Sequence, residues 1–269
     1  WMLRTALLSV LFVAVCVGGF VNQTQSLVNL YEATNGPMWD DNDGWLVTED
    51  FCSWEGITCD DRHRVVEIRL SLNNLSGTLP ESFDLPWLVS LDLDNNENLH
   101  GLIPEYELPD LELISIAFCD IEGQLPELLA SEKLRNIYMP GNKLNGTLPQ
   151  WRNKDKLESV YLDNNKIGGS FPRWKDLHSI QEIFLRSNKI SGPLREWKNL
   201  VNLQNIYFEG NSIRGTLPEW KSFQNIEYIY LQGNEITGTL PQSWSMEKLF
   251  LLNLGGNYIS GEIPEWNSF

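Results

Sequence analysis

The sequence repeats itself, and its period constrains the fold more than any other feature. Aligned on the proline of a Gly-x-Leu-Pro element, successive copies fall at Pro80, Pro104, Pro126, Pro149, Pro172, Arg195, Pro218, Pro241 and Pro264. The spacings are 24, then 22, then 23 for every later unit. Nine units run from about Val65 to the end of the 269-residue sequence, in the frame L-x-x-L-x-L-x-x-N-x-L-x-G-x-L-P. One unit reads Leu157, Val160, Leu162, Asn165, Ile167, Gly169, Phe171, Pro172. The second unit carries one extra residue, so Asn96 is followed by Leu99 three places on.

Each position of the frame has a physical reason. The L-x-L element alternates with period two and predicts a short strand with one buried face. One such strand cannot bury that face alone, but stacked copies form a parallel sheet over a continuous core. The return segment of each unit supplies the long connection that parallel strands need. The asparagines (Asn73, Asn96, Asn142, Asn165, Asn188, Asn211, Asn234 and Asn257) fall where the chain turns inward. Their side chains are expected to pair backbone groups that would otherwise be buried and unsatisfied. Cys119 takes that place in the third unit and reads as a small structural substitute. The repeated glycine, from Gly77 to Gly261, suits positive φ or close approach between coils. The proline after it suits an irregular outer segment. Trp151, Trp174, Trp197, Trp220 and Trp266 lie two residues past the aligned position, with Trp244 displaced by one. So many tryptophans invite a carbohydrate-binding reading. Their spacing is that of the core, which favours stacking beneath an outer coil.

The residue between the two core leucines of each strand faces out of the sheet. In order these are Arg69, Asp92, Ser115, Tyr138, Tyr161, Phe184, Tyr207, Tyr230 and Asn253. Five consecutive aromatics therefore form a stripe, roughly 19 Å long at about 4.8 Å per strand. Arg135, Glu158, Asp163, Glu182, Arg186, Glu209 and Glu227 border it. An apolar strip with a polar rim is a common make-up for a recognition surface. Aromatic residues also favour strands and stabilise neighbouring ones, so both roles stay open. The candidate ligand-binding residues are Tyr138, Tyr161, Phe184, Tyr207, Tyr230, Arg186 and Glu182.

Residues 20–64 do not repeat and read as a cap over the first coil, after a leader at residues 1–19. Arg4 and the apolar run Ala6 to Val17, followed by Gly18 and Gly19, have the pattern of a secretory signal. An uncleaved signal anchor is the alternative. Cys16 is expected to leave with the leader, and Trp1 ahead of Met2 reads as a translated fragment or a mis-called start. Leu27, Leu30 and Tyr31 lie on one face of a short helix that Asn35-Gly36 would end. Trp39, Trp45 and Trp54 punctuate an acidic loop whose run from Asp40 to Gly44 lacks the ligand spacing of a calcium loop. Cys52 and Cys59, with six residues between them, would pair in an oxidising compartment. The rival reading, half of a zinc site, needs ligands that His63 alone does not supply.

The segment Leu27 to Cys59, with Tyr-Glu-Ala-Thr-Asn-Gly, Gly-Trp-Leu and Cys-Ser-Trp-Glu-Gly-Ile-Thr-Cys, resembles the N-terminal cap of plant-type leucine-rich-repeat proteins. Asn-Asn-Leu-Ser-Gly-Thr-Leu-Pro at 73–80 is similar to their repeat signature. The Leu-Pro-Glu-Trp form and the 23-residue period look closer to surface or secreted repeat proteins of diatoms and trypanosomatids. The resemblance implies an α/β solenoid, a right-handed leucine-rich-repeat superhelix with a concave parallel sheet and few helices on its convex side. It also implies secretion or surface display, and a protein, peptide or glycan partner on the concave face.

No catalytic constellation appears. His63, His100 and His178 are scattered without a paired nucleophile, and no phosphate loop or H-E-x-x-H is present. The expectation is a non-enzyme without cofactor or metal. With 36 Asp+Glu against 20 Lys+Arg, the net charge of -16 argues against nucleic acid and anionic membrane surfaces. Sequons at Asn22, Asn74 and Asn145 are candidate glycosylation sites. The leading expectation is an extracellular or cell-surface recognition module. The alternatives are a secreted inhibitor of a foreign hydrolase, of the polygalacturonase-inhibitor kind, and a structural coat or adhesion protein. The sequence stops in the outer coil of the ninth unit without a capping segment, so a membrane span or anchor is expected, if anywhere, beyond a missing C-terminal part.

Overall fold

The computed structural model describes residues 23–266. The expected leader, Cys16 and the sequon at Asn22 lie outside the described residues. Nine short strands stack in parallel: Val65–Arg69, Ser90–Asp92, Leu113–Ser115, Asn136–Tyr138, Ser159–Tyr161, Glu182–Phe184, Asn205–Tyr207, Tyr228–Tyr230 and Leu251–Asn253. A tenth strand, Ile57–Cys59, pairs antiparallel with Val65–Arg69 at one edge. The register never slips along the parallel run: Val160 sits between Ile137 and Ile183, and Tyr161 between Tyr138 and Phe184. Equivalent residues of successive units therefore form straight columns. The central residue of nearly every strand is buried and its two neighbours are half-exposed, as the period-two pattern requires. The chain is the solenoid that its repeat predicts.

The asparagines form a second column, and it is a continuous hydrogen-bonded ladder. Asn165 Nδ2 donates to Met139 O at 3.0 Å and Leu162 O at 3.1 Å, while its Oδ1 accepts from Leu144 N–H at 2.9 Å. Asn188 Nδ2 donates to the same Leu162 O at 2.9 Å, and Asn142 Nδ2 to the same Met139 O at 3.3 Å. Each of these carbonyls thus serves two successive units. The exception explains itself. Cys119 donates weakly from Sγ to Leu93 O and Ala117 O, at 3.5 and 3.4 Å. The backbone N–H of Leu99 in the unit before it is bonded to Asn96 O at 2.9 Å. The extra residue after Asn96 turns that N–H back into its own coil, so position 119 serves only the backbone N–H of Asn96, which bonds the Cys119 sulfur.

The opposite side of the coil is more regular than the sequence pattern indicates. Residues around the repeated glycine pair as two runs of short parallel strands. Ser76–Thr78, Asn98–Gly101, Asp120–Gln124 and Lys143–Asn145 make a four-stranded sheet. Gly168–Gly169, Lys189–Gly192, Ser212–Gly215, Glu235–Gly238 and Tyr258–Ile259 make a five-stranded one, with a single bridge from Thr147 to Gly168 between them. In-register stacking of the main sheet brings these backbones within bonding distance, whatever their side chains. Glycine is required where the coils close up. At Gly169 (φ 71°) a Cβ would lie 2.6 Å from Thr147 Cγ2. At Gly77 (φ 107°) it would lie 2.4 Å from Ala33 O.

The tryptophans stack inside, as their spacing requires. Trp151, Trp174 and Trp197 follow one another at ring-centroid distances of 5.6 and 5.5 Å, and all three are buried. The indole N–H of Trp174 and of Trp197 donates to the carbonyl of Pro149 and of Pro172, at 3.0 and 3.1 Å. A column just inside this one holds Leu177, Leu200, Phe223 and Met246, all buried. Its member in the earlier unit is Lys154, fully buried, with Nζ 3.5 Å from Leu129 O. Burial pushes the Lys154 ammonium pKa down, against the pull of Glu132, Glu105 and Glu127.

The non-repeating N-terminal segment packs on the first coil. Its helix, Gln23–Ala33, buries Leu27 and Leu30 and stops before Asn35, whose φ of 58° is left-handed. Tyr31, Trp39, Trp45 and Trp54 form one aromatic cluster, with Tyr31 stacked on Trp45 at 5.6 Å and Trp39 edge-on to it at 4.9 Å. The backbone of the segment is tied to the first unit by Ser76 N–H to Thr34 O and Asp40 N–H to Asn73 O. Cys52 and Cys59 are disulfide-bonded, Cα to Cα 5.6 Å.

Candidate recognition surface

The fold places all five stripe residues on one face of the long sheet, on adjacent strands and in register. Tyr161 stacks on Phe184 at 4.4 Å, Phe184 on Tyr207 at 4.2 Å, and Tyr207 on Tyr230 at 4.6 Å, with interplanar angles of 19°, 11° and 15°. Tyr138 tilts by 56° against Tyr161 at 5.3 Å. The rings are thus ranged like coins on edge. Their faces are taken up by one another, and their rims and phenolic hydroxyls are what a partner would meet. All five are half-buried.

The two polar residues singled out with the stripe are built into it. Arg186 lies over the stack, its guanidinium carbon 5.9 Å from the Phe184 centroid and 5.6 Å from that of Tyr207. It also bridges two carboxylates, with Nε 3.3 Å from Asp163 Oδ2 and 3.8 Å from Glu209 Oε1. Burial nevertheless raises the pKa of both Asp163 and Glu209 above the usual carboxylate range. Desolvation therefore outweighs the nearby positive charge at each. Glu182 takes the other flank. It accepts from the hydroxyl of Tyr161 through Oε2 and from Asn205 Nδ2 at 2.8 Å through Oε1. The pKa of Tyr161 rises through burial first and this carboxylate second, so its phenol stays protonated. Arg135 pairs across strands with Glu158 and Glu112.

Sequence reasoning did not find the unpaired acceptors at the far end of the stripe. Asn205 Oδ1, Glu209 Oε2 and Gln232 Oε1 are buried oxygens without a hydrogen-bond partner, and all three lie beside the Tyr207–Tyr230 pair. Such atoms are costly to bury and call for a donor from water or from a partner; Arg186 Nε, beside Glu209, is likewise without a hydrogen bond. Their column positions were readable from the repeat, but their orphaned state depends on side-chain packing. Tyr228 was also missed. It sits beside the stripe and packs on Phe250 at 5.6 Å. The sequons separate: Asn74 and Asn145 are both exposed, but Asn74 Nδ2 is already donating to Met38 O at 3.0 Å.

A model of the Leucine Rich Repeat family matches residues 225–246. Receptor-like protein 7 of Arabidopsis thaliana is 34% identical over 119 residues, covering 40% of this chain and 12% of its own length. The leucine-rich-repeat ectodomain of the A. thaliana membrane receptor kinase GASSHO1/SCHENGEN3, solved with CASPARIAN STRIP INTEGRITY FACTOR 2, superposes with a TM-score of 0.82 at 27% identity, over 90% of this chain and 30% of that one. The plant peptide hormone receptor RGFR1, solved with RGF2, shares the fold at a TM-score of 0.63 and 24% identity, over 71% of this chain and 36% of its own. The chain spans 6 to 12% of the length of the curated relatives it matches. These likenesses support a plant-type leucine-rich-repeat protein and fit a ligand-binding, non-catalytic domain. No helix among the described residues is long and apolar enough to cross a membrane.

Proposed function

We propose that this chain is an extracellular recognition module whose ligand, a protein or peptide, lies across the strands on the aromatic face of the long sheet. The observation that carries this is the stripe from Tyr138 to Tyr230, five rings in register and bordered by Arg186, Glu182 and the unpaired oxygens at Asn205, Glu209 and Gln232. Rigid aromatics with convergent polar atoms are the usual composition of an interface centre. Backbone N–H groups of an extended chain are the donors those oxygens lack. A glycan fits the stripe less well, because sugars dock on ring faces and the inner faces here are covered by neighbouring rings. The receptor complexes with CASPARIAN STRIP INTEGRITY FACTOR 2 and RGF2 support the peptide reading by analogy of fold. The segment 23–64 serves as the cap of the first coil, and the leader routes the chain to the outside of the cell.

The test is the triple variant Tyr161→Ser, Phe184→Ser, Tyr207→Ser. It should lose capture of the partner retained by the wild-type protein, while the circular-dichroism spectrum stays native. Equal capture by the folded variant would refute the assignment.

A further inference from the structure

A cluster remote from the stripe has chemistry of its own. His63 Nδ1 lies 3.3 Å from Cys52 Sγ, and His63 Nε2 lies 3.5 Å from Asp50 Oδ1. Carboxylate, imidazole and sulfur thus stand in line, at the edge of the Cys52–Cys59 disulfide. The histidine is held there rather than placed by chance. Its backbone is left-handed at φ 60°, its ring packs on Phe51 at 4.7 Å, and Gln23 Nε2 donates to its carbonyl at 3.3 Å. That backbone belongs to the turn between Ile57–Cys59 and Val65–Arg69, where His63 N–H donates to Asp60 O at 3.1 Å, and histidine is among the residues that adopt it readily. The Asp50 and His63 side chains are 60% and 58% exposed, and both cysteines are half-buried, so a small thiol can reach the bond. The same three side chains bring ligand atoms within 4.8 Å of one another. The disulfide already engages the Cys52 sulfur, so a metal would lack its thiolate.

We infer that the Cys52–Cys59 bond is a directional thiol-exchange site, at which an external thiolate attacks Cys59 and Cys52 leaves. The attacking sulfur forms a new bond to Cys59 Sγ. The Cys52–Cys59 bond breaks, and its electron pair departs on Cys52. His63 donates from Nδ1 to that thiolate, with the Asp50 carboxylate 3.5 Å from its Nε2. Cys52 is reduced and the external thiol is oxidised to one half of a mixed disulfide. If the reagent is a dithiol, its second sulfur then releases Cys59 as a thiol and leaves as a cyclic disulfide. Direction follows from the leaving group. Exchange is faster when the departing sulfur is the better stabilised thiolate, and among the described residues an imidazole nitrogen stands beside Cys52 and not beside Cys59.

The experiment uses the oxidised, folded chain and reduced glutathione as the probe. Iodoacetamide stops the reaction, and fragment-ion mass spectrometry locates each adduct on the peptide that carries both cysteines. Glutathione is expected on Cys59 and the carbamidomethyl group on Cys52, by about tenfold over the reverse. His63→Gly suits the left-handed backbone and removes the ring; it should slow exchange about tenfold and erase the preference. Asp50→Asn keeps an acceptor for the Cys52 N–H, bonded at 2.9 Å, and should give an intermediate result. Adducts equally shared in the wild type, a preference for Cys52, no adduct at all, or a His63→Gly chain that keeps both rate and direction would each overturn the inference. Circular dichroism of both variants separates an unfolded N-terminal segment from a lost relay. Unfolding would scramble the adduct positions while speeding exchange, the opposite of the rate expected.

Discussion

Substituting Asn165 by alanine tests the ladder that fixes one coil upon the next. Four backbone groups bond this side chain, but unequally; the bond to Asp163 O, at 3.3 Å, costs little to lose because that carbonyl also accepts from Gly141 N–H at 2.9 Å. Met139 O keeps its second bond, from Asn142, and Leu162 O keeps its second, from Asn188. Leu144 N–H bonds to Asn165 Oδ1 and is left buried without a partner. An orphaned buried donor costs about 1–3 kcal/mol, and each weakened carbonyl adds about 0.5 kcal/mol. The sum is about 2–4 kcal/mol. With a urea dependence of about 3 kcal/mol/M, the unfolding midpoint should fall by about 1 M. Cys119→Ala is the internal control. Of the N–H groups there, that of Leu99 is bonded to Asn96 O, and that of Asn96 has only the Cys119 sulfur, a weak acceptor, to lose. Only a small packing loss of about 1 kcal/mol is expected. Urea unfolding of both variants, followed by tryptophan fluorescence, measures the contrast. A Cys119→Ala shift equal to or larger than that of Asn165→Ala would refute the reasoning.

Three further outcomes follow from the packing. Lys154→Met should raise stability at pH 7, because a buried ammonium gives way to a thioether in an apolar column. The folded-state pKa of Lys154 is depressed, so the wild type binds fewer protons there than the unfolded chain and gains stability as pH rises toward the lysine value. The advantage of the variant should therefore shrink between pH 7 and pH 10, as read by thermal melts. Trp197→Ala removes a ring stacked on Trp174 and edge-on to Phe171 at 5.2 Å, together with its bond to Pro172 O. It should cost about 3–5 kcal/mol in urea titration. Asp163 and Glu209 both have raised folded pKa values, which makes their contribution larger below the unfolded carboxylate pKa and smaller as pH rises through the folded value. The double variant Asp163→Asn, Glu209→Gln should flatten the stability-against-pH curve on the mildly acidic side.

The repeat made the columns legible, and with them the strands, the asparagine ladder, the buried tryptophans and the membership of the stripe. Each follows from spacing alone, because in-register stacking turns sequence period into spatial neighbourhood. What spacing does not encode is how a side chain lies within its column. The stacked rings, the seat of Arg186 above Phe184 and Tyr207, and the unpaired oxygens beside Tyr230 depend on rotamers and neighbours. The second set of strands was hidden for another reason. Its pairing is backbone to backbone and leaves little trace in residue type. Lys154 reads as a surface lysine in isolation. It is buried because it stands 23 residues before Leu177, in the same column of the stacked coils, a place that residue type alone conceals. The disulfide was readable from two cysteines, whereas the approach of His63 to one of its sulfurs was not.

The central claim is that the aromatic face holds the ligand. Amide hydrogen exchange of the chain, with and without the partner recovered by the wild-type protein, tests it at the level of strands. Protection should concentrate in 136–141, 159–164, 182–187, 205–210 and 228–233, which carry the stripe and its rim. The outer-coil segments 149–156, 172–179, 195–202 and 218–225 should exchange as in the free chain. Protection confined to those outer segments, with the strand segments unchanged, would contradict the account.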